Sequence, residues 1–320
     1  MGIKKTSKKF LKISIIGAGY MAEEHIKAFK KFKEIKIQGI MSLKGIRASK
    51  LAKKYKIKNV CSNIKSLYTK TSPDLLIIAV TETSVKKIII QSLKYPWKIF
   101  SEKPLGLNYL ESKEIYSIAK NLKREKDIVV GYNRRNYEST KYIISNISLK
   151  KRVIQIMDQQ NIYDKRVIKF PMKIKKNWMF ANSTHLVDYA NIFCRGKIND
   201  FKKKNILLNN KSRILTFLAT YDSGDVLLYN ALWNMPGPWS VSVTNEKISY
   251  KLEPLEILKI KNLKTKNYEK INIKSCEKKK IKPGLYNQTV ELIKFVFNKK
   301  NNLCSLKESH KVMSLTNKIY

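Results

Sequence analysis

The chain has 320 residues, 43% of them apolar and 10% aromatic, which allows two domains with cores of their own and excludes a disordered chain. Its formal net charge of +42 is carried mostly by lysine and spread over the whole length. Base and phosphate recognition favours arginine forks, so the excess reads as a solvated basic surface and excludes a nucleic-acid interface. No run approaches the roughly 18 to 20 apolar residues that would span a bilayer, so no membrane is expected as a partner.

The segment Lys4–Lys12 followed by ISIIGAG has the outline of a basic leader and an apolar core, and MGIKKT fits a short myristoylation pattern. A first buried strand explains the same apolar residues better. After it come a helix through MAEEHIKAFKKF, with Met21, Ile26, Phe29 and Phe32 on one stripe, and the strand IKIQGIMS. A helix through ASKLAKKY, a short strand NVC and a helix around IKSLYTK precede the strand DLLIIAV, led in by a Pro-Asp turn. A helix through SVKKIIIQSLK, the strand KIFSEK, a helix from Tyr109 to Leu122 and the strand DIVVGYN complete the series. Apolar strands alternating with amphipathic helices predict a parallel sheet covered on both faces.

Past Asn136 the texture changes. A helix near Tyr137 to Ile147 leads into the strands VIQIMDQQ, ILTFLATY, DVLLYNALW, WSVSV, ISYKL and EILKIKNL. Asp222-Ser223-Gly224-Asp225 predicts a hairpin turn between two of them. One helix, NSTHLVDYANIF, interrupts the strands, and helices from Tyr286 to Phe297 and Leu306 to Tyr320 close the chain. The expected division is a dinucleotide-type domain over residues 1–135 and a substrate-binding and oligomerisation domain over 136–320. Cys61, Cys194, Cys276 and Cys304 form no CxxC or Cys/His cluster, so reduced thiols, a cytoplasmic location and no metal site are expected.

The first strand runs into Gly17-Ala18-Gly19-Tyr20-Met21-Ala22, a G-x-G-x-x-A turn opening a helix. The first glycine permits the turn, the second lets backbone approach a pyrophosphate, and the small third residue lets helix and strand pack closely. The helix start offers free N–H groups to the phosphates. The second strand ends in Ser42-Leu43-Lys44 where an acid would hold the ribose of NAD, so the reading leans to NADP over NAD.

IIGAGYMAEEHIKAF, AVTETS, FSEKPLGLN, VGYNRRNY and NSTHLVDYANIF together resemble the Gfo/Idh/MocA family of NAD(P)-dependent oxidoreductases. The resemblance covers about the first 195 residues. It implies an α/β chain, with an N-terminal Rossmann doubly wound parallel sheet and a C-terminal α+β domain built on a mostly antiparallel open sheet. It implies that Lys103, followed by a cis bond to Pro104, lies beside nicotinamide and substrate. Glu102 would approach the nicotinamide ribose, and Thr81 would border the cofactor. His185 would face the substrate as acid or base, whereas read from the residues alone it is equally a hydrogen-bonded core histidine. Asp188 would orient the helix or the base, touch substrate, or only cap local structure.

The chain also departs from the pattern. Many members have an aspartate four residues before this histidine, and here the residue is Ala181. Asn182 can hydrogen-bond a hydroxyl but cannot take its proton. Of Arg134 and Arg135, one at most is expected to reach an anionic substrate group, with Arg134 the candidate; Trp178 either stacks on a sugar or fills core. The expected protein is a sugar, sugar-derivative or nucleotide-sugar oxidoreductase, forming homodimers or homotetramers and placed in surface-polysaccharide synthesis. The alternatives are a non-catalytic NAD(P)-binding sensor and an NAD-assisted glycoside-cleaving or eliminating enzyme.

Overall fold

The computed structural model describes residues 10–273 and 281–320. Most of the basic leader, the MGIKKT pattern and Cys276 lie outside them. The chain begins β1 (Leu11–Ile16), α1 (Tyr20–Phe29), β2 (Ile35–Met41), α2 (Ile46–Tyr55), β3 (Asn59–Cys61), α3 (Ile64–Thr71), β4 (Leu75–Ile78) and α4 (Glu82–Ser92). It continues with β5 (Lys98–Ser101), α5 (Tyr109–Asn121) and β6 (Ile128–Val130). The strands lie in the order β3-β2-β1-β4-β5-β6, all parallel. All four residues of β4 and all three of β6 are buried, as continuous apolar runs require when helices cover both faces. Strand order reverses between β1 and β4, and the crevice outside the carboxyl ends of strands at such a point is where these sheets bind ligands.

The second part contains α6 (Glu138–Asn146), β7 (Val153–Gln160), the one-turn helices α7 (Lys165–Ile168) and α8 (Met172–Lys175), and α9 (Thr184–Phe193). It goes on with β8 (Ile198–Leu207), β9 (Arg213–Tyr221), β10 (Val226–Trp233), β11 (Ser240–Thr244), β12 (Ile248–Leu252), β13 (Leu258–Asn262) and β14 (Glu269–Lys270). These eight strands form one sheet, antiparallel except where β7 pairs with β10. Burial alternates residue by residue along β10, so one face is core and the other is partly open. The predicted turn joins β9 to β10, and Asp225 at its end is fully buried, bonded by the backbone and guanidinium of Arg195.

Two features depart from the expected organisation. β8 was not anticipated: nine of its ten residues are exposed, and a solvated lysine-rich strand has no apolar alternation to betray it. The chain's end also returns to the first sheet. After α10 (Leu285–Val296), β15 (Cys304–Ser305) pairs antiparallel with β6 and leads into α11 (Leu306–Ile319). Leu292, Phe295 and Leu303 share a core cluster with Ile13, Phe29 and Ile77, so residues after 284 help cover the parallel sheet. This burial follows the amphipathic spacing of α10.

Gly17 joins β1 to α1 with φ of +117°, and a Cβ there would lie 2.0 Å from the Ala79 carbonyl oxygen after β4. The switch point is therefore closed by a backbone-to-backbone approach that only glycine permits. Gly17→Ala is expected to cost about 2–4 kcal/mol from the left-handed conformation and the clash, read as a lowered denaturation midpoint. An unchanged midpoint would show that the turn can relax.

Candidate active site

The elements that end at the switch point carry most of the expected residues. Gly19 follows Gly17, is exposed, and an added Cβ would meet nothing within 4 Å. No side chain caps the start of α1, which leaves its first N–H groups to a ligand. An open glycine beside an uncapped helix start fits a dinucleotide pyrophosphate. Tyr20 is 66% exposed beside it. Ser42 closes the loop after β2 by accepting a bond from the Ala48 amide at 3.3 Å, and Lys44 is solvent-exposed. Thr81 stands at the start of α4, its hydroxyl 3.3 Å from that of Thr83.

A residue with no assigned part in the sequence reading joins this group. The Lys282 ammonium, from the second half of the chain, is 3.3 Å from the Met21 sulfur and 5.5 Å over the Tyr20 ring. Burial pushes its pKa down. In so lysine-rich a chain nothing in the sequence separates Lys282 from its neighbours.

Ser101 ends β5, and Glu102 and Lys103 follow at the mouth of the crevice. Glu102 is buried, with one oxygen 2.6 Å from Nε2 of His25 on α1. His25 also packs edge-on against Phe100, so the carboxylate is held inward. The Lys103–Pro104 bond is cis, as the family resemblance implies. Lys103 Nζ donates to the backbone carbonyl of Ala181 at 2.6 Å, bridging the two parts of the chain. That carbonyl belongs to a π-helical stretch, Met179–Ser183, which leads into α9. Such stretches break the regular helical bonding and frequently occur at functional sites. A backbone oxygen thus takes up the lysine at the position where many family members carry an aspartate.

The surroundings of Lys103 lower its pKa to about 8, mainly through desolvation, although part of its stem meets solvent. His185, the second residue of α9, is held well below its usual value by burial and by the charges of Arg134, Lys103 and Lys282. It is therefore a neutral imidazole near pH 7. Its Nδ1 is buried without a hydrogen-bond partner among the described residues, and its ring stands edge-on to Tyr132 at 6.2 Å. A core histidine normally has its ring nitrogens bonded.

The two arginines after β6 divide sharply. Arg135 donates Nε and Nη2 to the two oxygens of Asp188, at 2.8 and 2.6 Å, and Nη1 to Glu308 on α11. Asp188 is 2% exposed. Its carboxylate is committed to holding α9, which corrects the expectation of a substrate contact from this residue. Arg134 instead lays its guanidinium over the Trp239 ring, 4.6 Å from the centroid.

Trp239 also lines a cavity of about 290 Å³ together with Gln159, Gln160, Trp178 and Asn182. Trp178 is buried, and its indole N–H and the Asn182 amide both donate to Gln160 Oε1 at 2.8 Å. Trp178 is thus a fixed wall of the cavity. The amide of Gln160 in turn donates to buried Asp158, which accepts from the hydroxyls of Tyr229 and Tyr320 at 2.6 Å. Gln160 and Asp158 escaped the sequence reading because a polar residue on a strand's inner face looks like any alternating position. Among the described residues no group of acidic, cysteine and histidine side chains is placed to hold a metal ion.

These features place an open glycine-rich turn and a cluster of cations at the carboxyl edge of the parallel sheet. Residues 11–132 match the model of an oxidoreductase family with an NAD-binding Rossmann fold, Gfo/Idh/MocA. A curated relative, 4-carboxy-2-hydroxymuconate-6-semialdehyde dehydrogenase of Sphingobium sp., is 22% identical over 182 residues. That match covers 56% of this chain and 57% of the relative, little more than half of either. Among solved structures, UDP-N-acetylglucosamine 3-dehydrogenase from Acidithiobacillus ferrooxidans superposes with a TM-score of 0.77 at 12% identity, covering 97% of this chain and 96% of the other. A dehydrogenase from Chromobacterium violaceum reaches 0.82 at 12% identity, covering 97% and 94%. Levoglucosan dehydrogenase in complex with NADH and L-sorbose reaches 0.80 at 15% identity, covering 97% and 96%. At such identities the likeness is one of fold, and it extends over nearly the whole chain.

Two measurements probe this arrangement. Asp188→Asn leaves Arg135 buried without its principal counter-charge and should lower stability by about 3–5 kcal/mol in denaturant unfolding; a loss below 1 kcal/mol would mean the pair is not what holds α9. Lys103 binds its proton less tightly folded than unfolded, so its penalty is full below pH 8 and fades as pH rises from about 8 to 10.5. Lys103→Met should therefore stabilise the cofactor-free protein at pH 7 by about 1–2 kcal/mol, discounted for partial solvation, with the gain vanishing across that window. A gain that stays constant with pH would contradict the depressed value.

Proposed function

We propose that the chain is an NAD(P)-dependent dehydrogenase or reductase acting at a CH–OH carbon of a sugar-type small molecule. The observation that carries this reading is the meeting of Lys103 with the Ala181 carbonyl, one turn before His185, whose buried Nδ1 has no partner among the described residues, beside an open glycine-rich turn. The bound nicotinamide supplies hydride transfer; the chain's own part is to place the carbinol carbon, exclude water and manage the hydroxyl proton. Gly17, Gly19, Tyr20 and Met21 cradle the pyrophosphate, with Lys282 adding a cation from the other domain. Ser42 and Lys44 take the adenosine ribose, where a hydroxyl and a cation favour the 2′-phosphate of NADP. Thr81 and Glu102 border the nicotinamide side.

Lys103 and His185 act on the hydroxyl. Neutral His185 accepts its proton during oxidation and returns it during reduction, while Lys103 stabilises the oxygen as charge develops. Asn182 hydrogen-bonds a substrate hydroxyl through its free amide oxygen, since its nitrogen is held by Gln160. A nucleotide-linked sugar and a place in surface-polysaccharide synthesis fit the names of some structural neighbours, and cytoplasmic operation fits unpaired cysteines. Homodimers or homotetramers are favoured by apolar side chains left exposed on β8 and β9, among them Phe201, Leu207 and Leu218.

Purified protein should release NADP or NAD on denaturation, identified by mass, and turn it over with a panel of free and nucleotide-linked sugars. His185→Ala and Lys103→Ala should each lower kcat/KM by about 10²–10⁴-fold with cofactor retained. Retained cofactor without turnover on any substrate would favour the sensor reading. No affinity for either nucleotide would remove the reading altogether.

A further inference from the structure

Lys103 and Arg134 leave neighbouring strand ends: β5 and β6 pair at Ser101 and Val130, and both residues follow within four positions. Lys103 spends its proton on a neutral backbone carbonyl, and Glu102 beside it is turned inward onto His25. The charged groups that act on His185 are Arg134, Lys103 and Lys282, all cations. Lys282 lies at the glycine-rich turn and so belongs to the pyrophosphate end. Glu102 and Glu82 offset part of the charge on Lys103, while the groups acting on His185 are cations alone.

Arg134 is the sharper observation. Its Nη1 is buried and has no hydrogen-bond partner among the described residues, whereas Arg135 next to it bonds two carboxylates. A buried guanidinium N–H left unmade is costly; Trp239 and the Tyr137 hydroxyl brace the group, and Nη1 is left for a further partner. Trp239 and Asn182 line the same cavity, and Asn182 adjoins the carbonyl that receives Lys103. The charged residues that line the cavity, Asp164 and Arg166, are bonded to one another, and Arg134 meets it through Trp239. One planar, doubly accepting oxyanion beside Trp239 would satisfy Arg134.

We propose that the substrate is a sugar acid: its carboxylate is taken by Arg134, braced on Trp239, while a neighbouring carbinol carbon lies between Lys103 and His185. This rests on the oxidoreductase reading and names the substrate class of the same site. A carboxylate here also offsets the cations around His185, which makes the imidazole a better proton acceptor when substrate is bound than when it is not.

Intrinsic tryptophan fluorescence, which needs no bound cofactor, tests the assignment by titration with glucuronate and galacturonate against glucose, galactose and glucose 6-phosphate. The acids should bind at least ten-fold tighter than the neutral sugars. Arg134→Gln should remove that preference and Arg134→Lys should keep only part of it. NADPH binding, read from nicotinamide fluorescence, should stay within two-fold in both variants. Equal binding of acids and neutral sugars, an unchanged preference in Arg134→Gln, or binding of none of them overturns the proposal. Tighter binding of glucose 6-phosphate than of either acid overturns it in favour of a phosphate. If the oxidoreductase reading alone is wrong, neither NADPH nor NADH binds while the Arg134-dependent preference for the acids remains.

Discussion

Arg135 leaves the carboxyl edge of the parallel sheet and closes two nitrogens on the carboxylate of Asp188, 53 residues further along the chain. Its third bond, to Glu308, reaches the helix that follows the returning strand β15. Three separate parts of the chain are thereby fixed around one buried guanidinium. Desolvating such a group is expensive, so the contact adds less net stability than its bonds suggest. What it supplies is position. His185 lies one turn before Asp188 on the same helix, and the π-helical stretch before it carries the carbonyl that Lys103 reaches. A shift of α9 would separate the lysine from the histidine, and at active sites displacements of about 1 Å cost catalysis heavily.

The electrostatics of the cleft follow from that placement. Lys103 and His185 are both pushed toward their neutral forms, the lysine by burial and the histidine by burial together with surrounding cations. Groups shifted in this way concentrate at sites of proton transfer, although structural ion pairs shift pKa values as well. Arg135 and Asp188 are an instance of the structural kind, since they satisfy each other. Lys103 has only a neutral acceptor, and His185 Nδ1 has none. The difference between the two pairs is one of completed against uncompleted hydrogen bonding.

Much of this was legible in the sequence. Strands buried on both faces announce themselves as continuous apolar runs, and the glycine-rich turn and the Lys-Pro pair stand at strand ends where chemistry is expected. Lys103 and His185 were singled out by the family resemblance, since the residues alone leave one an ordinary strand-end lysine and the other equally a core histidine. The pairing of adjacent arginines could not be divided beforehand, because sequence does not say which of two neighbours points inward. β8 was missed because an exposed edge strand needs no apolar pattern, and β15 because two residues carry no periodicity. Lys282 and Gln160 were invisible for a common reason. Each matters through a contact with a residue distant in the chain, and neither type is rare enough to be noticed alone.

The chain-wide charge and the local charge of the cleft have different physical weight. Exposed lysines act through water and are screened within about 8–10 Å at ordinary ionic strength. They draw anions toward the surface without choosing among them. Arg134 differs from them in geometry more than in sign: it lies over an indole, with a buried N–H that has no partner among the described residues. Specificity arises where a wrong ligand leaves a buried polar group unpaired, and a neutral sugar would do so here. On the proposed reading, surface charge concentrates acids near the cleft, and one braced arginine separates an acid from a neutral sugar.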